Sequence, residues 1–197
     1  MVETKSILAG IGVFFVSGWL VLCLHEGVHY LWRTWVLNPR IPTHVVIHFP
    51  GQVDPLFLNA APTKSQGFFR VGRWFIAGPF LEGVNLPRLP DVLRDGATSV
   101  RVLPYYLLPG LVCGVAATVC AGVVQPFWIC APLTVQLLAG GFLQWLPMEA
   151  GSDGSRMMLI FAGKGMNPIA AKRACYLMAG ISSLAVLIIF QRHWVGL

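Results

Sequence analysis

The sequence predicts an all-α polytopic membrane protein with about four transmembrane helices and a small β-containing interfacial segment between the first and second. Three observations lead there. Of the 197 residues, 56% are hydrophobic and only 11% charged, against roughly a quarter charged in an average soluble domain; the mean hydropathy is +0.69. The apolar residues fall into long uncharged runs, and the basic residues gather between those runs. A soluble domain of this size needs more polar surface than these residues supply. That excludes an ordinary cytosolic domain, a disordered tail and a collagen-like fibre.

The first run, Ser6 to Leu24, holds 19 residues without a charge, close to the length that crosses a hydrocarbon core. It leads directly into His25-Glu26 with no small-residue cleavage site, so it reads as a span of about 6–30 and not as a signal peptide. The 47 uncharged residues from Val102 to Met148 are too many for one span and suit two. Pro126 cannot continue a helix and Gln125 prefers the interface, so the break falls at Gly122–Pro126, giving spans of about 103–123 and 127–147. Ala174 to Gln191 gives the fourth, at 174–191. The five cysteines lie in or beside these runs without a C-x-x-C pair and read as small buried hydrophobes.

The intervening segment 37–102 is of another kind. Thr43 to Phe49 is β-rich and bounded by Pro42 and Pro50, so it reads as a strand, with an edge for an unwound substrate to join. Gly67 to Leu81 is apolar but interrupted by Arg70 and Arg73; it reads as an interfacial or partly inserted helix. Four spans put loops 37–102 and 149–173 on one face. Those loops carry eleven of the 14 basic residues, and the opposite face carries Lys5 and Arg192. By the positive-inside rule both loops are cytoplasmic and both termini lie on the non-cytoplasmic side. The net charge of +6 therefore belongs to membrane topology. No basic stripe with interleaved aromatics points to nucleic acid; the partner these charges imply is the lipid bilayer.

One motif carries chemistry. His25-Glu26-Gly27-Val28-His29 is H-E-x-x-H, expected by chance roughly 0.003 times at this composition and length. Residues four apart on a helix differ by about 40° in azimuth and about 6 Å in height, so both imidazoles face one side and can share one zinc ion. Glu26 is within reach of a water beside such a metal without being a ligand itself. Ionisable groups this close to a bilayer persist when they do something. A catalytic zinc needs a third protein ligand. His44, His48, Glu149 and Asp153 are the candidates, and topology favours Asp153, because the HEGVH end of the first span and the Asp153 end of the third share a side. Gly110-x-x-x-Gly114 reads as a helix-packing face, and Gly140-Gly141 as flexible packing or a place where a substrate strand comes close.

HEGVH ending a first span, Ala77-Gly78-Pro79, and the late Asp153-Gly154-Ser155-Arg156 resemble the site-2 protease family of intramembrane zinc metalloproteases. The order and spacing run along the whole chain, with about a dozen diagnostic positions. The resemblance implies a minimal single intramembrane metalloprotease-like domain over residues 1–197, with His25, His29 and Asp153 as zinc ligands and Glu26 as the catalytic carboxylate. Gln144, three residues before Pro147, stands nearest the family's substrate-positioning Asn. The loop to Asp153 is one residue longer than the family's usual loop, and Gly151 replaces its common proline. The expected activity is zinc-dependent cleavage of a transmembrane protein substrate. The alternative is a non-proteolytic zinc-binding membrane protein that regulates or chaperones a membrane partner.

The topology has a direct test. In a cysteine-free background, Lys64→Cys and Lys164→Cys are expected to react with impermeant reagents only once the cytoplasmic face is opened, and Lys5→Cys from outside. Labelling of positions 64 and 164 from opposite faces contradicts the four-span reading.

Overall fold

The computed structural model describes residues 4–37, 43–48, 69–76, 82–86, 99–148 and 152–195. Helix α1 (Thr4–Trp32) runs on into a π-helical turn, Arg33–Leu37. Four short strands follow: β1 (His44–His48), β2 (Phe69–Val71), β3 (Trp74–Ile76) and β4 (Glu82–Leu86). The rest is helical: α2 (Ser99–Val123), α3 (Phe127–Ala139), a 3-10 turn (Phe142–Trp145), α4 (Asp153–Gly163) and α5 (Pro168–Val195). Among the described residues, four segments are long and apolar enough to cross a membrane: Ile7–Leu37, Arg101–Val123, Phe127–Trp145 and Pro168–Trp194. The chain is a multi-pass membrane protein of the expected class; the middle spans lie near their expected boundaries, and the first runs seven residues past its expected end at 30 and takes in Arg33. The fourth starts a turn and a half early and takes in Lys172 and Arg173.

Glycines set how closely the helices approach. Helices α1 and α3 run parallel: a Cβ on Gly10 would meet the Trp128 carbonyl at 3.5 Å, and one on Gly18 the Gln136 amide at 3.1 Å. The Gln136 side chain donates to the Phe14 carbonyl at 3.3 Å, and a Cβ on Gly140 would overlap Val21. Gly110 and Gly114 do form a packing face, but what they seat is not a helix backbone. They receive the rings of Trp145 and Phe142 from the 3-10 turn. Gly141 is pressed against the backbone of Cys113 and Gly114, so the Gly140-Gly141 pair is filled by the protein's own packing. Around these contacts lies a core that includes Cys113, Ala117, Leu138, Phe142, Trp145, Met157 and Ala179.

The segment between the first two spans departs from expectation. Residues 69–76 form no helix: β2 and β3 make a hairpin about Gly72-Arg73, with Val71 opposite Trp74. Gly72 adopts φ 58, the left-handed geometry that a two-residue hairpin turn requires and glycine supplies. Arg70 and Arg73, which suggested an interfacial helix, sit exposed on that hairpin. The expected strand is there as β1, but it lies inside a four-stranded sheet of order β2-β3-β1-β4. It pairs in parallel with β3 and antiparallel with β4, so the outer strands are β2 and β4 and β1 has no open edge. Trp74 of β3 packs over Gly27, where a Cβ would meet its ring at 3.6 Å. The sheet is thereby docked against the HEGVH stretch of α1.

Candidate metal centre

Three chain segments converge at one end of the helical bundle. The Trp32 indole donates to the Arg101 carbonyl at 2.9 Å, joining the end of α1 to the start of α2. The first turn of α4 completes the group. His25, Glu26 and His29 are only 5–7% exposed, and Asp153 8%. His25, Glu26 and His29 each bring a ligand atom within 4.8 Å of the others and could hold a metal ion. Asp153 comes closer still to both histidines. Its Oδ2 is 3.2 Å from His25 Nε2 and 3.3 Å from His29 Nε2, and the two nitrogens are 3.2 Å apart.

That near-equilateral triangle is a test of fit. A tetrahedral zinc ion with bonds of about 2.0–2.1 Å keeps its ligand atoms about 3.3–3.4 Å apart, and the three observed edges match. Asp153 Oδ2 is buried yet accepts no hydrogen bond from any described residue; its contacts with the imidazoles are short, but their angles are not those of hydrogen bonds. Burial alone would push this carboxyl up. Where the His29 and His25 imidazoles are protonated they outweigh burial and hold it well below the usual carboxylate range. Two imidazoles and a carboxylate are a donor set that suits zinc.

Local structure explains how each donor is placed. Helix α3 stops at Gly140, and carbonyls in the last turn of a helix have no helical partner. The Gly140 carbonyl instead accepts from His25 Nδ1 at 2.7 Å. This bond puts the His25 proton on Nδ1 and leaves the Nε2 lone pair facing the centre. Asp153 opens α4 directly after the N-cap Ser152, whose hydroxyl accepts from the Ser155 amide at 3.3 Å, and a carboxylate is favoured in a first helical turn. Gly154 makes the placement possible: a Cβ there would overlap the Trp145 carbonyl and lie 2.6 Å from the Leu146 carbonyl carbon. The Asp-Gly pair is thus one device, a carboxylate and the gap that lets it reach the histidines.

Of the other sequence candidates, Gln144 lies in the 3-10 turn and its amide donates to the Ala139 carbonyl at 2.9 Å, beside the Gly140 carbonyl that holds His25. His44 opens β1 opposite Leu86, apart from the group around His25. Burial and the Arg73 and Arg70 charges all lower its pKa, which keeps its imidazole neutral. His48 closes β1 opposite Glu82. Ala77-Gly78-Pro79 and Glu149 lie outside the described residues. Sequence reasoning missed four contributors: the Gly140 carbonyl, the buried Cys113 thiol beside His25, Tyr105 packed on His29, and Arg33. Only Arg33 left a signal, four residues after His29 on the same helix. Comparison with protein-family models, with curated proteins and with solved structures finds no match to this chain.

Gly154→Ala is expected to push α4 off the Trp145–Leu146 backbone and lower metal retention at least tenfold, the scale on which groups supporting a ligand act. Gly163→Ala, at the far end of α4 with no neighbour within 4 Å, is the control and should retain metal fully. Equal retention by the two variants, measured by metal analysis after dialysis, contradicts this account of Asp153.

Proposed function

We propose that the chain is an intramembrane zinc metalloendopeptidase that hydrolyses a peptide bond within a transmembrane segment of another membrane protein. The observation that carries the reading is the triangle of His25, His29 and Asp153, with edges of 3.2–3.3 Å, built on an H-E-x-x-H helix whose Glu26 is buried beside it. A binding module needs the imidazoles but has no use for that carboxylate. The resemblance to site-2 proteases in HEGVH and Asp153–Arg156 supports the same reading. So does the position of His25, Glu26 and His29, inside the first candidate membrane span.

In this reading His25, His29 and Asp153 would hold the ion. Zinc, when bound, supplies Lewis acidity that polarises a carbonyl and makes a nearby water more acidic. Glu26 takes the proton of the attacking water and returns it to the departing amine, the two halves of general acid–base catalysis. The Gly140 carbonyl holds His25 in the tautomer that presents Nε2. A substrate helix has to unwind locally first, because an intact helix keeps its peptide groups internally bonded and shielded. Gln144, near the family's substrate-positioning Asn, is the residue proposed to meet the unwound strand. The metal end of the bundle faces the cytoplasm and the termini the opposite side, following the distribution of basic residues.

Glu26→Gln separates an enzyme from a metal-binding regulator. The change keeps size and most hydrogen bonding and removes only the base. Zinc content is expected to stay near one per chain, while cleavage of a single-span substrate falls by at least about 10²–10⁴-fold. Undiminished cleavage by zinc-loaded Glu26→Gln protein overturns the mechanism. Absence of cleavage by wild type across several substrates favours the non-proteolytic alternative.

A further inference from the structure

Arg33 sits four residues beyond His29, where α1 gives way to the π-helical turn Arg33–Leu37. It is 0% exposed and lies inside the first membrane-spanning segment. A guanidinium stays charged at any ordinary pH, and a charge at such depth is costly enough to mark a functional position. Single π turns within helices recur at functional sites for the same kind of reason. His25, His29 and Arg33 repeat every fourth residue, so they follow one face of α1.

The contacts of Arg33 lead back to the metal centre. Its guanidinium lies within interaction range of the Tyr105 side chain. The Tyr105 ring packs on the His29 imidazole with centroids 4.3 Å apart and planes inclined by 42°. Tyr106 buttresses Tyr105 edge-on at 4.9 Å. The two histidines are therefore held in different ways. His25 is fixed through Nδ1 by the Gly140 carbonyl, the usual device for a metal-ligating imidazole. His29 Nδ1 is buried and has no hydrogen-bond partner among the described residues. What bears on its ring is Tyr105, tethered from behind by a buried cation.

We infer that Arg33 and Tyr105 form a positioning couple for His29, in which the guanidinium anchors the Tyr105 hydroxyl and the anchored ring keeps the imidazole aimed at the shared centre. The inference rests on the metal centre proposed above and deepens it. Neither residue is a ligand; both act through the orientation of His29. Loosening either one lets the imidazole turn, and a small rotation at Nε2 is enough to spoil a triangle whose edges are 3.2–3.3 Å.

The test compares full-length wild type, Tyr105→Phe, Arg33→Lys and the double variant. Tyr105→Phe keeps the ring and removes only the hydroxyl, so the fold is preserved; Arg33→Lys keeps the charge and removes the planar fork. Zinc affinity is read by competition with a chromophoric chelator, and ligand geometry by the visible spectrum of the cobalt(II) form. Each single variant is expected to bind zinc about 10–100-fold more weakly and to shift the cobalt bands, with the double variant no weaker than the weaker single. Wild-type affinity in both singles overturns the inference. So do losses that multiply in the double variant, the signature of sites acting independently. Wild type that binds no zinc, or a His29→Ala variant that binds as tightly as wild type, removes the metal centre and the inference with it. Loss in His29→Ala together with a partial, non-multiplying loss in the Tyr105 and Arg33 variants is the result the inference requires.

Discussion

Two imidazole nitrogens and a carboxylate oxygen lie buried within 3.3 Å of one another, and the rest of the structure is arranged to keep them there. Each is a polar atom removed from water, and leaving such a group unsatisfied costs about 1–3 kcal/mol, more when it is charged. Pairwise hydrogen bonding does not resolve the arrangement, since Asp153 Oδ2 accepts none among the described residues. A single cation at their common centre, as proposed, satisfies all three at once. His29 Nε2 and His25 Nε2 share one hydrogen bond at 3.2 Å, and the scaffold has to be stiff enough to hold all three atoms together before any ion arrives. Binding then spends little on ordering the site.

Stiffness comes from close backbone approach. Gly140, Gly141 and Gly154 each sit where a side chain would overlap a neighbour. Gly110 and Gly114 receive the Trp145 and Phe142 rings, which locks the 3-10 turn whose backbone then supports Gly154. The chain of contacts runs from α2 through Trp145 to Gly154 and so to Asp153. A second chain runs from α3 through the Gly140 carbonyl to His25. The inferred third runs from Arg33 through Tyr105 to His29. Each donor atom thus has its own support, drawn from a different part of the sequence.

Much of the helical fold was legible because its signal is strong: a run without charge is long enough to cross a bilayer or it is not. Ser6–Leu24 and Ala174–Gln191 needed no tertiary information, and Pro126 announced the break between the middle spans. HEGVH was legible because a four-residue interval on a helix brings two imidazoles to one side. Asp153 followed from counting crossings. Residues 69–76 misled, because apolar residues interrupted by Arg70 and Arg73 read equally as an interfacial helix and as two three-residue strands about Gly72. Strands that short show no period to detect. Expecting an open edge on β1 failed for a related reason, since its neighbours β3 and β4 are weakly patterned and distant in sequence. The Gly140 carbonyl, Cys113 and Tyr105 were out of reach because their roles exist only in contacts between helices. Gly140-Gly141 read equally as packing or as a place for a substrate strand, and contact with Val21 and the α2 backbone decides for packing.

The central claim is that His25, His29 and Asp153 together bind one zinc ion. X-ray absorption at the zinc edge of the loaded protein tests it most directly. The account predicts four low-mass donors at about 2.0–2.1 Å, two of them with the outer-shell scattering of imidazole, and a loss of one imidazole contribution in His29→Ala. A sulfur shell at about 2.3 Å, with the buried Cys113 thiol beside His25 as its source, or an imidazole signal unchanged in His29→Ala, would contradict it.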